Sequence, residues 1–159
     1  MPPTIVSPDD HLQCPPHVWQ ERLPARLRSA GPRIERLRGR AFDVGGGDFR
    51  FREDSEGIVG DVWHYDGKLT PIVKIAAAAG FTPRSKLRLE PTTFEEIRSG
   101  CYDPKARIED MDTAGILASV NYPNMFVKFA GEQFSFAEDK TLALACIRAY
   151  NDYVIEEWC

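Results

Sequence analysis

Apolar and polar positions divide this chain into short alternating stretches in its first half and helical periods in its second. Thr4-Ile5-Val6-Ser7 is short and largely β-branched, which predicts a first strand. It runs into Asp9-Asp10-His11 and stops at Pro15-Pro16, since a residue before proline is held out of the helical region. Val18, Trp19, Arg22 and Leu23 then recur at helical spacing, predicting a helix within 17–27 that Pro24 interrupts. From Arg33 to Leu89 the pattern is least regular. Phe49-Arg50-Phe51-Arg52 alternates as an edge strand does, and Ile58 to Tyr65 reads as a second strand. Asp66-Gly67 is a tight-turn signal, with Leu69 to Val73 as the returning partner. Ile75 to Gly80 is an apolar, alanine-rich run that fits either type.

Periodicity strengthens after residue 93. Thr93-Phe94-Glu95-Glu96 has the spacing of a capping box and predicts a short helix that Gly100 ends. Pro104 suits a first helical position, and 106–114 reads as a helix with Gly115 as its C-terminal cap. Ile116 to Tyr122 is a mostly apolar run of strand length, the pattern of a parallel strand buried on both faces. Pro123-Asn124 ends it. After a turn at Ser135 to Asp139, Asp139 caps a last helix over Lys140 to Trp158. Its apolar positions, from Leu142 through Cys146 and Tyr150 to Trp158, keep the helical period.

Composition narrows the class. The 159 residues are 43% hydrophobic and 28% charged, enough for one domain with a real core. A net charge of −4 lacks the basic footprint of a nucleic-acid binder. The locally basic stretch Arg22 to Arg40 has no interleaved aromatics and reads as a solvated or salt-bridged face. No apolar run approaches a membrane span and no secretory signal is visible, so a cytoplasmic protein with reduced thiols is expected. Cys14, Cys101, Cys146 and Cys159 are widely spread and form no Cys-x-x-Cys pair.

The candidate chemistry lies in the first strand. On an extended backbone Asp9 and His11 point to one side and Asp10 to the other, placing two ligand-type side chains at a strand end. The tripeptide alone reads as a turn cap beside a solvated histidine, because Asp-x-His is common by chance. His17 fits a surface helix position, and His64 sits beside Trp63 and Tyr65 as a structural residue would.

The stretch Val6 to Trp19, with Asp9-Asp10-His11 at its centre, resembles the opening of the amidohydrolase-related (amidohydrolase 2) proteins. These are metal-dependent enzymes close to the aminocarboxymuconate semialdehyde decarboxylase group. Arg107 to Ile116, containing Met111-Asp112-Thr113-Ala114-Gly115, and Arg148 to Tyr153 resemble later blocks of the same family, in the same order. The resemblance implies an α/β fold: the N-terminal part of a (β/α)8 TIM barrel, about two βα units, with a small β-hairpin insertion after the first strand. Residues 1–159 would form an incomplete barrel domain, with 28–91 as the inserted subdomain.

The resemblance also implies that Asp9 and His11 bind a divalent metal, usually zinc. The oxygen ligand at position 9 widens the choice toward manganese. Cys14 stands where many relatives carry Glu; a thiolate ligand and a small buried residue are both open there. Tyr122 and Asn124 fall in the same vicinity, near metal or substrate. The family's proton-handling aspartate and a further histidine ligand have no matching positions before Cys159, so the catalytic residues are expected beyond it. A full barrel needs about 250 residues.

The function expected is therefore the N-terminal segment of a metal-dependent hydrolase, with activated water attacking a carbonyl-type small-molecule substrate. One alternative is a carboxy-lyase of aromatic or unsaturated carboxylic acids. Another is a catalytically incomplete fragment that associates with a partner chain, as a homo-oligomer or with the missing barrel half.

Overall fold

Two sheets of opposite character organise the chain, and the computed structural model describes residues 5–80, 87–124 and 126–159. Strand β1 (Ile5–Leu12) pairs in parallel with β6 (Ile116–Pro123), from Ile5 opposite Ile116 to Leu12 opposite Pro123. Its register shifts between Ser7 and Asp10. Pro8 lies in that interval and cannot donate to the ladder, which accounts for the irregularity. Between the two parallel strands the chain builds a separate antiparallel sheet. Its strands are β2 (Arg33–Gly45), β3 (Asp48–Glu53), β4 (Ile58–Tyr65) and β5 (Lys68–Pro71), in spatial order β3-β2-β4-β5.

This arrangement corrects the expected fold. The described residues contain one parallel pair and a four-stranded antiparallel sheet, without the repeating parallel strand–helix units of a TIM barrel. A barrel grows by adding each new strand parallel to the last. Among the described residues β6 has no further strand beside it, and the final helix packs on the first helix. The expectation that Ile116 to Tyr122 is buried on both faces also fails, because Leu117 and Val120 are exposed.

The helices follow their end signals. Helix α1 (His17–Arg22) and α2 (Ala25–Arg28) are separated at Pro24, as the spacing requires. Helix α3 (Pro104–Ala114) starts with Pro104 in its first position. The Asp103 carboxylate accepts from the amides of Lys105 and Ala106, and Gly115 closes the helix at φ 70°. A short α4 (Glu132–Ser135) precedes α5 (Lys140–Tyr153), whose first amides are capped by Asp139. The chain then widens into a π-helical turn, Val154–Trp158. The expected helix after Thr93 does not form. Glu96 reaches back to the Thr93 amide and the Thr92 hydroxyl, but the backbone makes one turn before a 3-10 turn at Ser99–Cys101.

One core serves both sheets. Trp19 of α1 meets Trp63 of β4 edge-on at 4.9 Å, and Trp63 stacks on Phe126 at 4.6 Å. Tyr65, Phe134, Cys146 and Tyr153 belong to the same buried cluster. The antiparallel sheet therefore shares its core with the helices, through the buried Trp63 and Tyr65. The Trp19 indole N–H donates to the Cys146 carbonyl at 3.1 Å, tying α1 to α5. Arg22 holds Glu156 at 2.6 Å and Glu157 at 2.5 Å, so the chain's end is pinned to α1 as well.

Candidate functional site

Strand alternation divides the acidic pair at the end of β1. Asp10 turns inward: it accepts from the Ser7 hydroxyl at 2.7 Å and from the Arg107 guanidinium of α3 at 2.6 Å. Asp9 and His11 lie on the open side, with side chains 78% and 57% exposed. The His11 Nε2 and an Asp9 carboxylate oxygen are 3.6 Å apart. His11 Nδ1 lies 3.1 Å from the Pro123 carbonyl of β6. A carbonyl oxygen only accepts, so Nδ1 carries a proton, and Nε2 is the nitrogen turned toward Asp9.

These two side chains fit part of a metal site. Ligand atoms bound to one tetrahedral ion at roughly 2.0–2.2 Å stand about 3.3–3.6 Å apart. A metal-binding histidine also commonly donates its second nitrogen to a carbonyl, as His11 does. Among the described residues, no group of three or more His, Cys, Asp or Glu side chains converges on such a point. The pair could hold two positions of such an ion, and among the described residues no third His, Cys, Asp or Glu joins it.

The other sequence candidates separate. Tyr122 sits opposite His11 in the ladder, with ring centroids 6.2 Å apart. Asn124 is buried behind it, donates its amide to Gln13 Oε1 and accepts the Phe126 N–H at 3.2 Å. Cys14 is in the core, where burial pushes its thiol well above the ordinary range, with Glu157 adding to the effect. A protonated, enclosed thiol does not act as a ligand from that position, and the small buried residue is what the structure contains. His17 is engaged with Glu157 at 3.0 Å, while His64 stands between Arg33 and Glu35. Neither adjoins His11.

A cleft of about 380 Å³ adjoins His11. Asn124, Lys128, Ile75, Pro123 and Phe129 line it. A smaller recess of about 190 Å³ continues past His11 to Asp9 and Tyr122. Lys128 and Phe129 had no signal in the sequence, because nothing periodic marks the turn that carries them. In the structure Lys128 has φ 62° and ψ 173°, a conformation that costs a non-glycine residue about 1–3 kcal/mol. Phe129 is 75% exposed on the cleft wall.

One buried amide pair fixes this geometry. Gln13 follows β1 and contacts Asn124 after β6. Its Nε2 donates to the Ala76 carbonyl at 3.1 Å, and its backbone N–H donates to the Cys101 carbonyl at 2.7 Å. Four chain segments meet at that residue beneath the cleft.

No helix of the described residues is long and apolar enough to cross a membrane. No protein-family model matches this chain, and no curated protein matches it.

Proposed function

We propose that Asp9 and His11 are two ligands of a divalent metal, zinc or manganese, in a hydrolase site of the amidohydrolase-related kind. The supporting observation is the shared geometry of the pair: a 3.6 Å separation on one open face, with the His11 tautomer fixed by the Pro123 carbonyl. A metal bound there supplies Lewis acidity and lowers the pKa of a coordinated water toward about 7. The chain's own part is to present the His11 lone pair and the Asp9 carboxylate together. Lys128 on the adjoining cleft also suits the carboxy-lyase alternative, in which an anionic substrate lies against the same pair.

Calorimetric titration of metal-stripped protein with zinc, and separately with manganese, tests this reading. The unchanged chain is expected to bind, and Asp9→Ala combined with His11→Ala to bind at least tenfold more weakly. Glu53→Gln, at an exposed carboxylate of β3, serves as the control and is expected to bind as the unchanged chain does. Undiminished binding by the Asp9/His11 double variant would overturn the assignment.

A further inference from the structure

The parallel pair β1–β6 has one covered face and one open face. Ser7, Asp10, Ser119 and Asn121 turn toward α3. Arg107 of that helix holds Asp10, Asp10 holds Ser7, and the Ser119 hydroxyl lies 4.0 Å from the Met111 sulfur and 2.9 Å from the Asn121 amide. Side chains alternate along a strand. Val6, Val120 and the opposed residues His11 and Tyr122 therefore stand on the other side, together with Asp9. Val6 is 59% exposed and Val120 49%. The exposed Phe129 ring continues this surface, 6.2 Å from Tyr122. Parallel strands are ordinarily covered on both faces, and an exposed apolar patch marks a surface that another molecule covers.

The polar pair on this face indicates what the cover is. Asp9 and His11 offer one oxygen ligand and one nitrogen ligand to an ion that takes four in its closed sites. Among the described residues no third ligand-type side chain joins them. A two-fold contact between copies of one chain sets the same patch against itself. A second Asp9–His11 pair brought up in this way completes a set of four, two oxygens and two nitrogens. Charge points to the same partner. Two Asp9 carboxylates set against each other repel, and one divalent cation between them cancels both charges. The contact also removes the exposed surface of Val6, Val120 and Phe129 from water.

We infer that two copies of this chain pack through the open face of the β1–β6 sheet and share one divalent metal ion, held by Asp9 and His11 of each copy. The inference rests on Asp9 and His11 being metal ligands, as proposed above, and adds the partner. Four side-chain ligands leave no open position on an ion, whereas a catalytic site keeps one. The metal-linked dimer is thus the closed form of the site, and the separated chain is the form that admits water or substrate.

Sedimentation velocity and calorimetric titration of the full chain, stripped of metal, test this with zinc alone as the probe. The stripped chain is expected to sediment as a monomer. Zinc is expected to convert it to a dimer, with saturation at one ion per two chains, and a chelator to reverse the change. Val120→Lys lies on the open face and is not a ligand. It is expected to weaken zinc-dependent dimerisation by about tenfold or more. Val6→Lys takes its place if circular dichroism shows that Val120→Lys does not fold. Ile108→Lys, exposed on α3 across the sheet, is expected to dimerise as the unchanged chain does. One zinc bound per monomeric chain, or a zinc-linked dimer that a folded open-face lysine variant leaves unchanged, would overturn the shared site while leaving Asp9 and His11 as ligands. Absence of zinc binding by the unchanged chain would overturn both readings, so the two failures are distinguishable.

Discussion

The strand end that carries Asp9 and His11 is held from behind by the Asp10–Arg107 ion pair, and breaking that pair gives a measurable prediction. The two side chains are 21% and 19% exposed, so solvent screens them only in part. Asp10 accepts from Arg107 at 2.6 Å and from Ser7 at 2.7 Å. The Arg107 Nε is buried and has no partner among the described residues, so Asp10 is the guanidinium's main compensation. A hydrogen bond to a charged group contributes roughly 1.5–3 kcal/mol when its partner is deleted. Asp10→Ala is accordingly expected to cost about 2–3 kcal/mol. That is a large share of the roughly 5–15 kcal/mol typical of a domain. Asp9→Ala, on the solvent side of the same strand, should stay within about 0.5 kcal/mol.

Urea titration by circular dichroism measures both, as midpoint shifts at constant slope. A double-mutant cycle of Asp10→Ala with Arg107→Ala isolates the pair, with an expected coupling of about 1–2 kcal/mol. A coupling below about 0.5 kcal/mol is what an exposed surface pair gives. That result would refute the argument that this ion pair orients the strand end.

The core and the thiols give two further predictions. Trp63→Ala removes a fully buried ring packed on Trp19 and Phe126, at an expected cost of about 3–5 kcal/mol. Far-ultraviolet dichroism and the fluorescence of the remaining Trp19 and Trp158 should then report one coincident unfolding transition, and separate transitions would show that the antiparallel sheet unfolds by itself. Burial pushes the Cys146 thiol up to about 12 and raises Cys14 and Cys101, while Cys159 is exposed. A raised value means less thiolate at pH 8, so a disulfide reagent should modify Cys159 rapidly and the other three only in denaturant. Rapid reaction of a second thiol in the folded protein would contradict the core placement.

End signals were legible in the sequence because they are local. Pro24, Asp103-Pro104, Gly115 and Asp139 each act through their own backbone, and each stands where the pattern puts it. The longest strand, β2, was hidden because both of its faces carry charge. Arg36 is paired with the buried Asp61 at 2.9 Å, Arg40 with Asp54 at 2.5 Å, and the Arg38 guanidinium donates to the Gly57 carbonyl. A strand neutralised by cross-strand partners shows no hydrophobic alternation to read. The basic stretch read as a salt-bridged face is this strand and the helix before it. The capping-box spacing at Thr93 was present, but a cap nucleates only one turn and the following residues add no buried helical face. The barrel expectation failed for a different reason. A strand–helix order does not specify how many strands stand side by side, and that number depends on pairings the local pattern cannot express.

Asp9 and His11 share a face through strand period alone, and this part of the site could be written down before the fold. The cleft beside them could not, because it depends on contacts far apart in sequence. Gln13 joins Ala76, Cys101 and Asn124 in one buried hydrogen-bonded knot. That knot sets the exit of β1 against the exit of β6 and so brings the turn bearing Lys128 and Phe129 beside His11. Buried amides with all partners made are stiff, since releasing any one leaves a polar group unsatisfied out of water. The positions of His11 and of the cleft wall are therefore coupled through a residue buried beneath both. The pairing of Asp9 with His11 is local, whereas its placement beside the cleft is a property of the knot beneath it.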